Sequence, residues 1–424
     1  MIAEPVSTER DLWRIWEGRQ LPVELVTRDG ESLRVLFPGV ANSDAGPDFV
    51  GAHLAFRNGK HVRGDVELHL EATSWERHGH HADPRYDRVI LHVVLLDDGG
   101  PARTSAGSAI PLLALGSILK TRSIAGGSPA QLAPCHDPTA PRAPIPNLNT
   151  HLEEAGLQRF EARATSWEAD LSSKADENCV LQALLCCAGL GKNGGACLAL
   201  ARALDGRVLE AVLDAAGGQA DTVASAVLLG MGGLLEPAHA CQEVRDAWLA
   251  HRDYWPGIPL AARQWHRFRL RPANLPENRL RLIAAIIARH GLGGFQRRLI
   301  ATIDAAPPPA MPHLLALLAG DGRGAGRDWG LEAWTNVLLP LAVALARSQA
   351  NDAVAARGLT CYRRIPGGGQ SALLTRMATI AGLPAPPRRA VEQQGLLRIW
   401  AEYCSQQRCT ACPLAAGKES TPGH

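Results

Sequence analysis

The sequence predicts an α+β protein in which an N-terminal mixed sheet is followed by an all-α domain. Three observations carry that reading. Two hairpin signals, Arg28-Asp29-Gly30-Glu31 and Arg57-Asn58-Gly59-Lys60, lie near the start of the chain. From about residue 150 the apolar spacing changes to the helical period, as in Leu280, Ile283, Ala284, Ile287 and Ala288. Between these regions Pro134, Pro138, Pro141, Pro144 and Pro146 interrupt regular structure. The expected division is therefore a domain over 1–124, a Pro-rich linker over 125–149 and a helical domain over 150–424.

The elements follow in order. Leu12, Trp13 and Trp16 share one face of a first helix. Strands are expected at about 23–28 and 32–38, then at 49–57 and 60–71 around Asn58-Gly59, whose two positive-φ positions suit a type I′ turn. Thr73 to His80 reads as a short helical segment and Val89 to Leu96 as a buried, nearly all-apolar strand. Helices are then expected at 150–174, 177–189, 194–204, 207–216, 220–229, 241–252, 277–290, 294–302, 310–319, 330–349, 369–381 and 389–403, with no fixed repeat among them.

Composition sets the outer bounds. With 424 residues, 46% hydrophobic and 20% charged, the chain is an ordinary globular sequence able to build a large core. Met1 to Arg10 holds no apolar signal region and no uninterrupted apolar run suits a bilayer, so a cytoplasmic, non-membrane protein is expected. Ten cysteines, among them the adjacent Cys186 and Cys187, do not resemble a secreted disulfide framework. A formal net charge of +2 leaves nucleic-acid contact to local patches.

The densest chemistry lies between Asp48 and His69. If Arg57 pairs with Lys60 across a two-residue turn, Asp48 falls opposite His69 with Glu67 diagonal to it on the same face. Such neighbours lie roughly 4.5–8 Å apart, close enough to share a divalent cation. A bulge at Gly51 or Gly64 would change this register. The competing reading is an amphipathic strand whose Asp65, Glu67, His69 and Glu71 simply face water.

Pro47-Asp48 followed by Glu67-Leu68-His69 resembles the signature of the PD-(D/E)XK nucleases, with His in the place that usually holds Lys. The resemblance implies an α-β-β-β-α-β core and a Mg²⁺ or Mn²⁺ site. In it Asp48 and Glu67 ligate the metal and His69 orients water or offsets charge, with Asp65 a reserve ligand and Glu9 a helical glutamate near the site. A histidine beside two carboxylates is expected to have a raised pKa and to carry charge. Residues 1–124 also resemble an uncharacterised bacterial family of unknown function, through Leu12 to Trp16, Asn42 to Phe49, Gly64 to His69, Trp75 to His80 and Leu91 to Val94. Trp334 to Pro340 and the terminal cysteine motif extend that likeness along the chain.

Three further features bear on function. Cys404-x4-Cys409-x2-Cys412 is a three-thiolate pattern of ferredoxin-like spacing, similar to the iron-sulfur loop of helix-hairpin-helix DNA glycosylases. A [4Fe-4S] cluster or Zn²⁺ is expected there, with Cys361 as fourth ligand and Cys135 as the alternative. Arg263, Arg267, Arg269 and Arg271 surround Trp265 and Phe268, a composition that suits phosphate neutralisation and base stacking. His78, His80, His81 and His92 follow His69 closely and offer zinc-hydrolase chemistry, or a lining for the cleft beside Asp48. In isolation each also has a plainer reading: a solvated turn for 78–81 and a satisfied core histidine for His92.

The reading is a metal-dependent nuclease. The alternatives are a non-catalytic nucleic-acid-binding scaffold and a zinc hydrolase built on the cluster from His69 to His92.

Overall fold

A computed structural model describes residues 8–17, 21–42, 45–121, 145–236, 240–268, 270–305, 311–319, 326–369, 371–406, 408 and 411–414. The expected linker falls largely on 122–144, outside the described residues. Two compact units emerge: Met1–Ile145 with Thr375–Pro384 and Ala401–His424, and Pro146–Leu374 with Ala385–Trp400. Two C-terminal stretches thus group with the sheet, although the sequence placed everything after 150 in the helical part.

In the first unit α1 (Glu9–Glu17) precedes β1 (Leu25–Val26), β2 (Ser32–Phe37), β3 (Val40–Ala41), β4 (Phe49–Phe56) and β5 (His61–Glu71). Then come α2 (Ser74–Arg77), β6 (Val89–Leu96), β7 (Leu112–Ala114) and α3 (Gly116–Thr121). These strands form one mixed seven-stranded sheet in the order β1-β2-β4-β5-β6-β7, with β3 beside β4. The pairs from β1 to β5 are antiparallel, and β6 and β7 join in parallel through crossovers. Setting aside β1, β3 and β7, the succession is α-β-β-β-α-β.

One sheet face is apolar. Leu54, Val66, Leu68, Leu91, Val93 and Leu113 pack with Leu12 and Trp16 of α1, and Trp16 donates its indole N–H to the carbonyl of Pro38 at 2.9 Å. Each such buried side chain contributes about 1.5–3 kcal/mol, an ample reason for this face to stay closed. Trp75, Tyr86, Val89, Ala102 and Ile110 form a second, smaller cluster.

The β4–β5 hairpin departs from the expected turn. Its closing pair is Phe56 with Lys60, and the Gly59 N–H returns to the Phe56 carbonyl at 3.0 Å. Of the two residues assigned positive φ only Gly59 has it, at +81°. The loop is therefore Arg57-Asn58-Gly59, with Asn58 Oδ1 accepting from the Lys60 N–H, and the strands pair one residue out of the expected register, His53 with Arg63 and Ala55 with His61. A bulge at Gly51 (φ +70°) then shifts the pairing by one more residue. The two shifts together bring residue 48 opposite residue 67 and return its side chain to the expected face, since strand facing alternates with every residue.

The second unit contains α4 (Leu148–Ser173), α5 (Asp176–Ala188), α6 (Gly194–Ala203), α7 (Gly206–Ala216), α8 (Ala220–Met231), α9 (Gln242–His251), α10 (Pro276–His290) and α11 (Leu292–Asp304). It continues with α12 (Met311–Leu317), α13 (Arg327–Ala333), α14 (Leu339–Ser348) and α15 (Asp352–Arg364), then α16 (Ala372–Ile380), which ends in the first unit, and α17 (Ala390–Ile399). Local chemistry sets several starts: Asp205 caps α7, Asn351 caps α15, and Pro276 opens α10. The sequence reading missed α15. Its buried side Val354, Ala355, Gly358, Cys361 and Tyr362 has helical spacing, but Gly358 and Thr360 obscure it, and the glycine is needed because an added Cβ would meet Val343 at 2.6 Å.

A π-turn over Trp334–Leu338 joins α13 and α14 into one helical stretch, Arg327–Ser348. It is long and apolar enough to cross a bilayer, yet 89% of its most apolar window is buried inside the protein. Its buried residues belong to a core that also holds Phe160, Leu184, Leu228 and Ile283.

Candidate metal centre

The site forms on the polar face of β4 and β5. Asp48 immediately precedes β4, where the Asn42 N–H bonds the Asp48 carbonyl at 2.7 Å and Asn42 Nδ2 bonds the Pro47 carbonyl at 2.8 Å. The backbone N–H of Asp48 donates to Glu67 Oε2 at 2.8 Å, and the N–H of Leu68 donates to Asp48 Oδ2 at 3.0 Å. The Trp13 indole also donates to the Asp48 carboxyl. Asp48, Glu67 and His69 therefore converge, in a register set by the three-residue turn and by a bulge at Gly51, one of the two positions where the sequence allowed for one.

Histidines complete the constellation. Nε2 of His69 lies 3.4 Å from Glu67 Oε1 and 3.2 Å from Nδ1 of His78, and Nε2 of His80 lies 3.2 Å from the same Glu67 oxygen. On its other nitrogen His69 meets Nε2 of the fully buried His92 at 2.9 Å. Gly79 (φ +76°) sits between His78 and His80 and turns the backbone where the two rings approach His69. The ring of His80 stacks on Tyr86 at 3.8 Å and meets Trp75 edge-on.

Electrostatically the site is governed by burial, and among the described residues no Lys or Arg pairs with Asp48 or Glu67. Burial, followed by the charge of Glu67, pushes Asp48 up to about 8, and burial pushes Glu67 up to about 8 as well. His69 is not the cation expected from its carboxylate neighbours. Burial first, then His92, His80 and His78, lowers it to about 2, and burial with His80 lowers His92 to about 3. Desolvation outweighs attraction to Glu67 because that carboxyl is itself held in its neutral form.

The other expected ligands take different places. One oxygen of the buried Asp65 accepts the Gly51 N–H at 3.0 Å and so holds the bulge. Glu9 is exposed on α1, and its charge raises both Asp48 and Glu67. His81 is exposed.

A family described as "Protein of unknown function (DUF2851)" matches residues 9–305. The chain belongs to this family. No curated protein and no solved structure matches it. The matched span takes in α1, the whole sheet and every member of the acid–histidine cluster, then runs on to the end of α11. The cysteine motif lies beyond it.

Of the cysteines, Cys361 is buried on α15 in the helical unit, while the half-buried Cys404 and the buried Cys412 belong to the sheet unit. Cys409 and Cys135 lie outside the described residues. In the arginine segment Arg263 and Arg271 are exposed, as is Phe268, but Arg267 pairs with Glu277 at 3.2 Å and Trp265 is buried with its indole bonded to the Gly232 carbonyl at 2.7 Å. Arg269 lies outside the described residues.

Proposed function

We propose that the sheet unit hydrolyses phosphodiester bonds in nucleic acid, using a divalent cation held by Asp48 and Glu67. The observation that carries this reading is the convergence of the two carboxyls with His69 on one sheet face, tied together by the Asp48 N–H to Glu67 and the Leu68 N–H to Asp48. The residues fit a cation. Neither carboxyl forms an ion pair with Lys or Arg among the described residues, and burial pushes both up to about 8. A bound Mg²⁺ or Mn²⁺ would polarise a phosphoryl oxygen and acidify a water molecule.

The protein's own groups then have separable tasks. Asp48 is oriented by Trp13 and Leu68, and Glu67 by the Asp48 backbone. Neutral His69 orients water through Nε2 without supplying the charge that a lysine would. Arg77 and Arg85 are the cations whose fields reach His69 and His80, although each also pairs with a neighbouring carboxylate, Glu71 and Asp83. Arg263 and Arg271 are the exposed candidates for phosphate contacts in the helical unit, and the terminal cysteines are the place for a structural cluster or zinc.

A second reading, hydrolysis of a different ester or amide by a zinc-bearing site, is favoured by the entry of His78 and His80 into the same cluster. A scaffold that binds nucleic acid without cutting it is the third. The test is cleavage of a panel of single- and double-stranded DNA and RNA with Mg²⁺ or Mn²⁺. Asp48→Asn and Glu67→Gln are expected to lower the rate by at least about 100-fold while leaving the circular dichroism unchanged. Activity equal in wild type and both variants rejects this site, and binding without cleavage selects the scaffold.

A further inference from the structure

We propose that His69, His78 and His80, beside Glu67 Oε1, form a position for one nitrogen-preferring transition-metal ion of the Zn²⁺ or Fe²⁺ class, selected over Mg²⁺. The inference concerns the same cluster as the nuclease reading, with Glu67 and His69 in common, but it goes beyond that reading by assigning a different ion and does not require that nucleic acid be the substrate.

Spacing is the first argument. The separations His78 Nδ1 to His69 Nε2, His69 Nε2 to Glu67 Oε1 and His80 Nε2 to Glu67 Oε1 are 3.2, 3.4 and 3.2 Å. A tetrahedral ion with bonds of about 2.0–2.1 Å sets its donors about 3.3–3.4 Å apart. One ring nitrogen from each of the three histidines lies within 4.8 Å of the others, the only such group of three or more ligand residues among the described residues, and Glu67 stands beside it rather than in it.

An orphaned atom is the second. His80 is 8% exposed and its Nε2 has no hydrogen-bond partner, although Glu67 Oε1 is 3.2 Å away, because that approach is off the hydrogen-bond direction. A buried imidazole nitrogen left without a hydrogen-bond partner is satisfied by a bound ion.

Support from behind is the third. His92 Nε2 occupies His69 Nδ1 at 2.9 Å, which leaves Nε2 of His69 as the outward donor, and Tyr86 and Trp75 fix the plane of His80. Partners of this kind orient ligating imidazoles. With three nitrogen donors the set is poor for Mg²⁺, which retains oxygen ligands and water, and well suited to zinc or ferrous iron.

The experiment uses chelator-treated full-length protein titrated separately with Zn²⁺, Co²⁺ and Mg²⁺, read by calorimetry and by the visible d–d bands of four-coordinate Co²⁺. One equivalent of Zn²⁺ is expected to bind far more tightly than Mg²⁺, and Co²⁺ is expected to show tetrahedral bands. His92→Phe should weaken Zn²⁺ by about 10–100-fold. His78→Ala, at an exposed position where folding is not at stake, should weaken it at least as much and abolish the Co²⁺ bands. Equal affinity for Zn²⁺ and Mg²⁺, or Zn²⁺ binding unchanged in His78→Ala, overturns the proposal. Tight histidine-dependent Zn²⁺ binding with no cleavage of nucleic acid under any metal leaves this inference standing and removes the nuclease reading. Mg²⁺-dependent cleavage indifferent to His78→Ala, with no preference for Zn²⁺, does the reverse.

Discussion

Glu67 has two imidazole nitrogens within 3.4 Å of one oxygen and a backbone N–H on the other. That environment makes the stability of the metal-free protein depend on pH in a defined direction. Asp48 and Glu67 hold protons up to about 8, whereas in the unfolded chain carboxyls release them near about 4. Their contribution is thus fully present at low pH and is lost as pH rises towards 8. His69 and His92 work oppositely, since their folded values of about 2 and about 3 lie below the unfolded value of about 6.5, and their contribution is lost as pH falls through that interval. The terms compete below about 6.5, and between about 6.5 and 8 only the carboxyl terms remain. Chelator-treated protein should therefore lose stability from pH 6.5 to 8 in thermal unfolding, with added Zn²⁺ reversing the loss. The Asp48→Asn, Glu67→Gln double variant should flatten it. Flat or rising stability of the wild type over that interval would contradict the environment assigned to the two acids.

Among the elements, the β4–β5 hairpin shows how far local sequence carries. Pro47-Asp48, Asn58-Gly59 and Glu67-x-His69 were enough to expect two paired strands and three converging side chains. They were not enough for the register, because whether Asn58 or only Gly59 adopts positive φ, and whether the strand bulges at Gly51, depends on how the sheet packs. The turn alone would have put Asp48 on the wrong face; the bulge restores it. Deleting Gly51 is accordingly expected to abolish divalent-ion binding while the chain remains folded, and Gly51→Val, forced into φ +70°, should cost about 1–2 kcal/mol of stability in denaturant unfolding. Metal binding preserved in the deletion would show that the bulge does not set the site.

Helix contacts hide a similar dependence. In the helical unit a Cβ on Gly156 of α4 would lie 1.9 Å from the Val391 carbonyl of α17, and one on Gly395 would lie 2.0 Å from the Leu152 carbonyl. No side-chain rotation relieves a clash with backbone. Gly156→Ala should thus cost at least about 1–3 kcal/mol. Gly195→Ala in α6, where a Cβ meets nothing within 4 Å, should instead stabilise by about 0.4–1 kcal/mol. Equal effects in thermal unfolding would mean that the two helices can separate without loss.

At the scale of the whole molecule, the chain folds as a sheet unit and a helical unit, and its C-terminal segments return to the first. The terminal cysteines carry a chemical test of their own. Anaerobically purified protein is expected to contain iron or zinc, visible absorbance marking an iron-sulfur cluster, and Cys409→Ser should remove the metal. Metal retained in Cys361→Ser would reject Cys361 as the fourth ligand, and protein free of both metals would leave the motif as ordinary thiols.

What the sequence determined by itself was the α+β class, the change of period near residue 150, most helices and the identity of the reactive side chains, because composition, spacing and turn chemistry are local properties. It also singled out His78, His80 and His92, as a rival zinc site or as a lining for the cleft beside Asp48. Only the tertiary structure decided that these histidines and the acids belong to one cluster. Gly79 turns the chain, Tyr86 and Trp75 orient a ring, and the parallel pairing of β5 with β6 sets His92 beside Glu67, bringing residues far apart in sequence into contact. The charge state of His69 was decided there as well, since desolvation depends on what surrounds a residue and its neighbours in sequence do not reveal it.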